Sequence, residues 1–370
     1  MKIFFAIKNL STSVGGAERV LCKVASLLAN RGHETSIVTF DPMGSSSFYT
    51  IEPNIKRFYL PIGDSSSNSK FFESFLRLRA LKKLINNEKP DIVIGFMHSI
   101  YILLAFALIG ISTPLIASEH IVVDHYKNKP IQFILLVISS FFVNHYTSLS
   151  TSIKKRYPYL VSRKMTIIPN PIRDMKIKKI PKKNMNRKIL LNIGRLENQK
   201  DHITLIKAFS IIAKSFPEWD LKIIGSGSLR SVIEKEISSL NLSNRVFIKS
   251  FTKNIQSEYS KADVFVISSL YESFGLVTAE AMSSGLPCVG FSNCPGTNEL
   301  ILHEETGLLI NDFGNRSASL AEGLTRLLSD EKIRIKFGNA GRESISSKFS
   351  DKEVADSWEH LLYNIVRDKC

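Results

Sequence analysis

Short apolar runs of strand character alternate with longer runs of helical period along almost the whole chain, and this alternation limits what it can fold into. The first series places strands at residues 2–7, 34–40, 56–60, 91–97, 114–118, 146–149 and 165–168. Helical patterns lie between them at 17–30, 70–86, 100–108, 131–142 and, briefly, after Ser152. A second series has strands at 189–193, 221–224, 246–248, 264–267, 287–290 and 307–310. Its helices fall at 203–216, 229–240, 255–261, 276–283, 317–329 and 331–348. Parallel neighbours need a crossover instead of a hairpin, so such alternation predicts βαβ units. The expected fold class is α/β, as two doubly wound, Rossmann-like domains. A chain of 370 residues also exceeds what one core usually sustains. The two series repeat an architecture and no residue-level sequence.

Residues 173–188 hold eight basic residues and one acidic residue, with Pro181 and little apolar content. They read as an exposed linker. The domains are expected at 1–172 and 189–350, with a cleft between the carboxyl ends of the two sheets. The last segment has a helical period through Val354, Trp358, Leu361, Leu362 and Ile365.

Composition narrows the function classes. The net charge of +15 suits nucleic acid, an anionic membrane or an anionic small substrate. No zinc finger, RNA-recognition signature or Arg-rich arm is present, so no nucleic-acid partner is expected. Cys22, Cys288, Cys294 and Cys370 form no metal-binding or disulfide pattern. The apolar run at 3–7 is too short for the core of an export signal. The runs at 100–111 and 131–143 fall short of the ~20 residues of a spanning helix and are expected to be buried. A cytoplasmic location follows as the expectation.

The most informative local string runs from Tyr271 to Met282, Tyr-Glu-Ser-Phe-Gly-Leu-Val-Thr-Ala-Glu-Ala-Met. It lies between the apolar runs 264–267 and 286–289 and reads as strand, loop, helix, turn, strand. Its loop therefore sits at the carboxyl end of a parallel strand, where open α/β sheets bind ligands. Gly275 lets the backbone approach a ligand. The free N–H groups at Ser273, Phe274, Gly275 and Leu276 suit a phosphate. Glu272 precedes the helix and Glu280 lies inside it, and carboxylates accept hydrogen bonds from sugar hydroxyls. The unit is suited to a sugar nucleotide.

Other strings sit at equivalent places. Gly194, Arg195 and Lys200 follow the strand 189–193, and both cations suit phosphate oxygens. Gly225-Ser226-Gly227 follows 221–224 but lacks the third glycine of a nicotinamide-binding loop, where Arg230 stands. Gly15 and Gly16 open the first helix, as a tight turn or a phosphate approach. His120 follows the strand 114–118, and His98 is a weaker candidate after 91–97. The helix at 70–86 has an apolar face of Phe71, Phe72, Phe75, Leu78, Leu81 and Ile85 beside Lys70, Arg77, Arg79, Lys82 and Lys83. Such a helix suits an anionic lipid surface or a lipid-linked diphosphate, or simply packs on its sheet.

These strings resemble the retaining glycosyltransferases of family 4. The likeness lies in the Glu-x7-Glu motif, with its Phe-Gly and Glu-Ala-Met, and in the Gly-Arg-Leu…Gln-Lys segment, where Asp201 replaces the usual Gly. It extends to Gly225–Gly227, to Gly15-Gly16, to Pro169-Asn170-Pro171 and to the loop from Cys294 to Glu299, where Asn298 and Glu299 are candidate supports. It spans nearly the whole chain and is specific in the C-terminal half. It implies the GT-B architecture, two facing domains with an interdomain cleft, and a C-terminal helix, 351–370, packed back onto the N-terminal domain.

By the resemblance, Glu280 holds the ribose and Glu272 the transferred sugar. Arg195 and Lys200 hold the donor diphosphate, and His120 contacts the sugar. The reaction implied is a hexosyl or N-acetylhexosaminyl transfer from a UDP-sugar to a surface glycan, by front-face displacement with retention. The leaving phosphate assists deprotonation of the acceptor, and domain closure excludes water. No Asp-x-Asp is seen, so no metal and no cofactor are expected. The acceptor is expected to be undecaprenyl-diphosphate-linked, with the enzyme peripheral at the inner face of the cell membrane. The alternatives are a sugar-nucleotide epimerase of the same fold, a basic nucleic-acid-binding protein and a dehydrogenase. The sugar, the linkage, the acceptor and the oligomeric state are not encoded legibly.

Overall fold

The computed structural model describes residues 1–12, 15–64, 71–172, 175, 187–252 and 254–367. It divides into two units, Met1–Pro171 with Asp351–Cys370, and Ile172–Ser350. The basic segment 173–188 lies almost wholly outside the described residues. Within it, Arg187 pairs with Asp220 and Lys188 already begins a strand.

The first unit is built on a seven-stranded sheet. Its strands are β1 (Lys2–Ala6), β2 (Glu34–Thr39), β3 (Lys56–Tyr59), β4 (Ile92–Phe96), β5 (Leu115–Ser118), β6 (His145–Ser148) and β7 (Met165–Ile167). Their order is β3-β2-β1-β4-β5-β6-β7, every pair parallel. The helices are α1 (Gly16–Ala29), α2 (Phe71–Glu88), α3 (His98–Ala107) and α4 (Pro130–Ser139), then the one-turn α5 (Thr151–Lys154) and α6 (Tyr159–Ser162). The central strands β1, β4 and β5 are apolar on both faces because helices cover both faces of a parallel sheet; β4 is buried throughout. Gly95 in β4 is required by packing, since a Cβ there would come within 2.8 Å of the Tyr101 side chain in α3.

The second unit has six parallel strands: β8 (Lys188–Ile193), β9 (Trp219–Ile224), β10 (Val246–Lys249), β11 (Val264–Val266), β12 (Cys288–Phe291) and β13 (Gly307–Ile310). They are ordered β10-β9-β8-β11-β12-β13. Its helices are α7 (His202–Ile212), α8 (Arg230–Ser239), α9 (Ile255–Lys261), α10 (Leu276–Ser283), α11 (Thr297–Leu300), α12 (Arg316–Ser329) and α13 (Glu331–Lys348). Its core runs from Leu190 and Leu205 through Trp219 and Phe291 to Leu324 and Phe337. Every strand expected from the sequence is present.

The last helix, α14 (Asp351–Arg367), belongs to the first unit. Its apolar stripe, Val354, Trp358, Leu361 and Leu362, is buried. Trp358 stacks against Phe96 at the end of β4. Around the stripe, Asp351 pairs with Lys23 at 2.5 Å, and Glu359 pairs with Arg31 at 2.5 Å and His33 at 2.9 Å.

Two expectations fail here. The segment 131–143 is not a buried helix: α4 buries Leu136 and Ser139 and turns Ile131, Ile134 and Ile138 to solvent, with Phe141 following. Continuous hydrophobicity did not distinguish its packed edge from its open face. Arg77 is not on the basic surface of α2. It is fully buried, donates to the carbonyls of Ile62 at 2.8–2.9 Å and Asp64 at 3.2 Å, and lies over Phe40. A buried guanidinium is tolerated because its donors meet backbone acceptors and an aromatic face.

Candidate active site

In a doubly wound sheet the strand order reverses at one point, and the loops leaving the two strands there splay apart. In the second unit that point lies between β8 and β11, with Leu190 opposite Val264 and Leu191 opposite Phe265. The loop after β8 carries Gly194, Arg195 and Lys200. The loop after β11 carries Glu272 and Gly275. The topology therefore brings together two motifs that lie about seventy residues apart in the chain.

Backbone and side-chain bonds fasten these loops to each other. Leu270 N–H donates to the Gln199 carbonyl at 2.9 Å, and Gln199 Nε2 donates to the Tyr271 carbonyl at 2.8 Å. Ser268 Oγ donates to the Lys200 carbonyl at 2.8 Å. The result is one ion pair, Lys200 Nζ to Glu272 Oε1 at 2.5 Å, with both side chains largely enclosed. Ser269 Oγ donates to the same oxygen at 2.6 Å. The Glu272 N–H donates to the Pro295 carbonyl at 3.0 Å. Gly296, at φ +79, closes that support; a Cβ there would sit 2.7 Å from the Glu272 carbonyl.

Behind Glu272 the chain turns into α10. Gly275 is its N-cap at φ +87, a conformation that favours glycine. No side chain caps this helix, so its first turn keeps backbone N–H groups without a side-chain acceptor. Glu280, within α10, is buried and accepts from Tyr259 Oη at 3.0 Å. Ser273, Phe274 and Leu276 line the turn, and Phe274 is held edge-on by Phe349.

The Gly225–Gly227 turn packs on the Arg195 loop. A Cβ on Gly225 would lie 1.8 Å from the Gly194 carbonyl, and one on Gly227 would lie 2.4 Å from the Leu196 carbonyl. Leu196 N–H donates to the Ser226 carbonyl at 2.9 Å. These glycines are thus needed for loop-to-loop contact before any ligand is considered. Arg195 is exposed; Nη2 reaches Gln199 Oε1 at 3.3 Å. Asp201, where the resembled family has Gly, holds the left-handed conformation at φ +47. Asp tolerates that region better than most residues, and its carboxylate caps α7 at the Thr204 N–H.

In the first unit the reversal lies at β1 and β4. Gly15 and Gly16 follow β1. Gly15 has extended backbone, and a Cβ on it would meet only the movable end of Glu18. His120 follows β5; its ring stacks on Phe96 at 4.9 Å and its Nε2 lies 3.0 Å from Ser118 Oγ. Burial pushes its pKa down to about 3, so it is neutral at pH 7. His98 opens α3 and is likewise lowered by burial, to about 4. Lys82 donates to the Ile109 carbonyl at 2.8 Å, Lys83 is exposed, and Lys70 lies outside the described residues.

Sequence reasoning missed several groups here. Ser269 and Tyr259 lie outside the motifs: Ser269 holds Glu272 from three residues before it in the same loop, and Tyr259 reaches Glu280 from α9. His202, at the first position of α7, is buried with both ring nitrogens unpaired, and burial lowers its pKa to about 4. Glu119 is buried beside His120. It accepts from Tyr101 Oη, from the Ile121 N–H at 3.0 Å and from Tyr126 Oη at 3.4 Å. Burial raises its pKa to about 7.

Comparison with known proteins covers both units. Residues 14–174 match the family model described as Glycosyltransferase Family 4, and residues 174–344 match Glycosyl transferases group 1. The Campylobacter jejuni GalNAc-alpha-(1->4)-GalNAc-alpha-(1->3)-diNAcBac-PP-undecaprenol alpha-1,4-N-acetyl-D-galactosaminyltransferase is 29% identical over 99% of each chain. The Escherichia coli UDP-Gal:alpha-D-GlcNAc-diphosphoundecaprenol alpha-1,3-galactosyltransferase is 26% identical over 100% of this chain and 98% of its own. Among solved structures, sucrose-phosphate synthase from Thermosynechococcus elongatus superposes with a TM-score of 0.84 at 20% identity, over 99% of each chain.

Proposed function

This chain belongs to the glycosyltransferases of family 4, a two-unit α/β enzyme of GT-B architecture, and from that premise we propose that it transfers a hexose or N-acetylhexosamine from a UDP-sugar to a hydroxyl of a lipid-linked or surface glycan. The observation that carries the donor side is the Lys200–Glu272 pair at the switch point, set before the uncapped N-terminus of α10. The helix N–H groups, Lys200 and Arg195 receive the diphosphate. Glu280 takes the ribose hydroxyls and Glu272 those of the transferred sugar. As the bond from the anomeric carbon to the diphosphate breaks, the negative charge grows on the leaving oxygen. The acceptor oxygen bonds on the same face, and its proton passes to the departing phosphate. Fixed donors aimed at developing charge are often the largest catalytic contribution. By the family resemblance His120, neutral at pH 7, is the residue proposed to contact the transferred sugar. No cofactor is proposed, the UDP-sugar being a substrate.

The acceptor class is supported by the two full-length relatives, whose names specify undecaprenol-linked substrates. Peripheral membrane contact is proposed through the exposed apolar residues of α2 and α4. Phe71 is 93% exposed and Ile131 73%, and Lys83 is exposed on α2. Among the described residues, no helix is long and apolar enough to cross a membrane.

The test is release of nucleoside diphosphate and sugar transfer over UDP-, GDP- and ADP-sugars, with and without an undecaprenyl-diphosphate-glycan extract. Wild type is compared with Glu272→Ala. Release from one UDP-sugar, stimulated by the extract and lost in the variant, is expected. Release that ignores the extract would assign an epimerase or hydrolase instead.

A further inference from the structure

We propose that Arg316 is a positioning residue for the transfer, holding the Lys200 loop and the Glu272 loop in one register. The proposal rests on the donor-side reading of Lys200 and Glu272 given above. Arg316 is the first residue of α12 and lies more than forty residues beyond Glu272, outside every motif that marks the site.

Its guanidinium lies at the junction of the two loops. Nε donates to Asp201 Oδ2 at 3.2 Å, directly after Lys200. Nη2 donates to the Ser268 carbonyl at 3.0 Å and approaches the Ser269 carbonyl at 3.5 Å. Ser269 is the residue whose hydroxyl holds Glu272. Nη1 reaches Asp312 at 3.1 Å, and the guanidinium lies 3.7 Å over the Phe291 ring at the end of β12. One planar group on a rigid aromatic thus grips the residue after the catalytic cation and the strand end before the catalytic acid. A lysine, as a single point charge, cannot make both contacts at fixed angles.

Asp201 explains why the bridge exists in this chain. Where the resembled family has Gly, a left-handed backbone costs nothing. Here a residue with a Cβ sits at φ +47, and its carboxylate is occupied twice, by the Thr204 N–H and by Arg316. Asp201 thereby supplies a carboxylate, held by the Thr204 N–H and Arg316, where a glycine would offer no side chain to clamp. Since a misplacement of about 1 Å at a reacting group can cost on the order of 100-fold in rate, the clamp acts on turnover more than on nucleotide affinity.

The experiment measures kcat, donor KM, UDP affinity by calorimetry and thermal melting for wild type, Arg316→Ala, Arg316→Lys, Asp201→Gly and the Arg316→Ala/Asp201→Gly pair. Arg316→Ala is expected to lower kcat about tenfold or more while UDP affinity stays within about threefold. Arg316→Lys should recover only part of the loss. Adding Asp201→Gly to Arg316→Ala should cost less than the two single losses combined, as expected for residues in one network. If Arg316→Ala melts earlier yet turns over at the wild-type rate, Arg316 is a stabilising residue only and the inference is overturned. Equal losses in kcat and UDP affinity, in proportion to the folded fraction, overturn it too. A wild type that turns over no sugar nucleotide removes the donor-side reading itself, which separates the two failures.

Discussion

The two units share one architecture and put their switch-point loops to different use. In the second, the loops after β8 and β11 are bonded together, and Lys200 and Glu272 already meet at 2.5 Å inside an enclosed site. In the first, the loop after β1 makes few demands on its glycines, and the polar interest lies deeper, where Glu119 is held among tyrosines beside His120. The first unit also leaves apolar side chains on α2 and α4 open to solvent. A preformed site fits a ligand whose shape is constant, such as a nucleotide. An exposed, partly apolar surface suits the lipid end of the proposed acceptor.

The largest expected effect lies in the preformed half. Lys200→Met should lower kcat by about 10²-fold or more, as for loss of one preorganised charge donor. It also strands a buried carboxylate, at a cost on the order of 3–5 kcal/mol. The pair Lys200→Met/Glu272→Gln should regain stability in a denaturant titration without regaining activity. If the pair stayed as unstable as the single change, the ion pair would not be what holds these loops.

Next in size is a glycine contrast. Gly225→Ala must push against the Gly194 carbonyl and should destabilise by about 1–3 kcal/mol, as overpacking does. Gly15→Ala meets only the Glu18 side chain and should cost less than about 1 kcal/mol. Equal melting shifts for the two would erase the claimed difference in loop packing.

The pH dependence separates the buried groups by sign. His120 and His202 have folded pKa values near 3 and 4, below the ordinary histidine value, so the unfolded chain binds more protons as pH falls below ~6.5. Their contribution is full above that pH and is lost as pH falls toward 4. Glu119, raised to about 7, works the other way: its contribution is full below ~4.5 and is lost as pH rises through 7. Melting curves from pH 4.5 to 7.5 should therefore become less acid-sensitive in His202→Gln and more stable at the alkaline end, relative to wild type, in Glu119→Gln. An unchanged profile in both would place these groups in wetter surroundings.

The smallest effect on stability belongs to the open surface. Ile131→Glu with Phe141→Glu should shift stability within about 0.5 kcal/mol, yet reduce sedimentation with vesicles containing phosphatidylglycerol. Unaltered vesicle binding would move the membrane contact elsewhere.

The positions of the strands were legible because a parallel sheet favours apolar runs separated by helical periods. The site motifs were legible where the chain itself carries them in one string, as from Glu272 to Glu280. Three things were not legible. The burial of Arg77 depends on the Ile62 carbonyl, which no local pattern announces. The exposure of α4 depends on which neighbours cover it. Arg316 and Tyr259 reach the site from other elements, and only the folded sheet makes them neighbours of Asp201 and Glu280.

The most direct measurement is a calorimetric titration of the full chain with UDP, GDP and ADP, repeated on Glu280→Ala and Lys200→Met. The expected result is binding of UDP in preference to the other two, weakened about tenfold or more in each variant. Wild-type binding that is equal for all three nucleotides, or untouched by both substitutions, would contradict a donor site preformed around Lys200, Glu272 and Glu280.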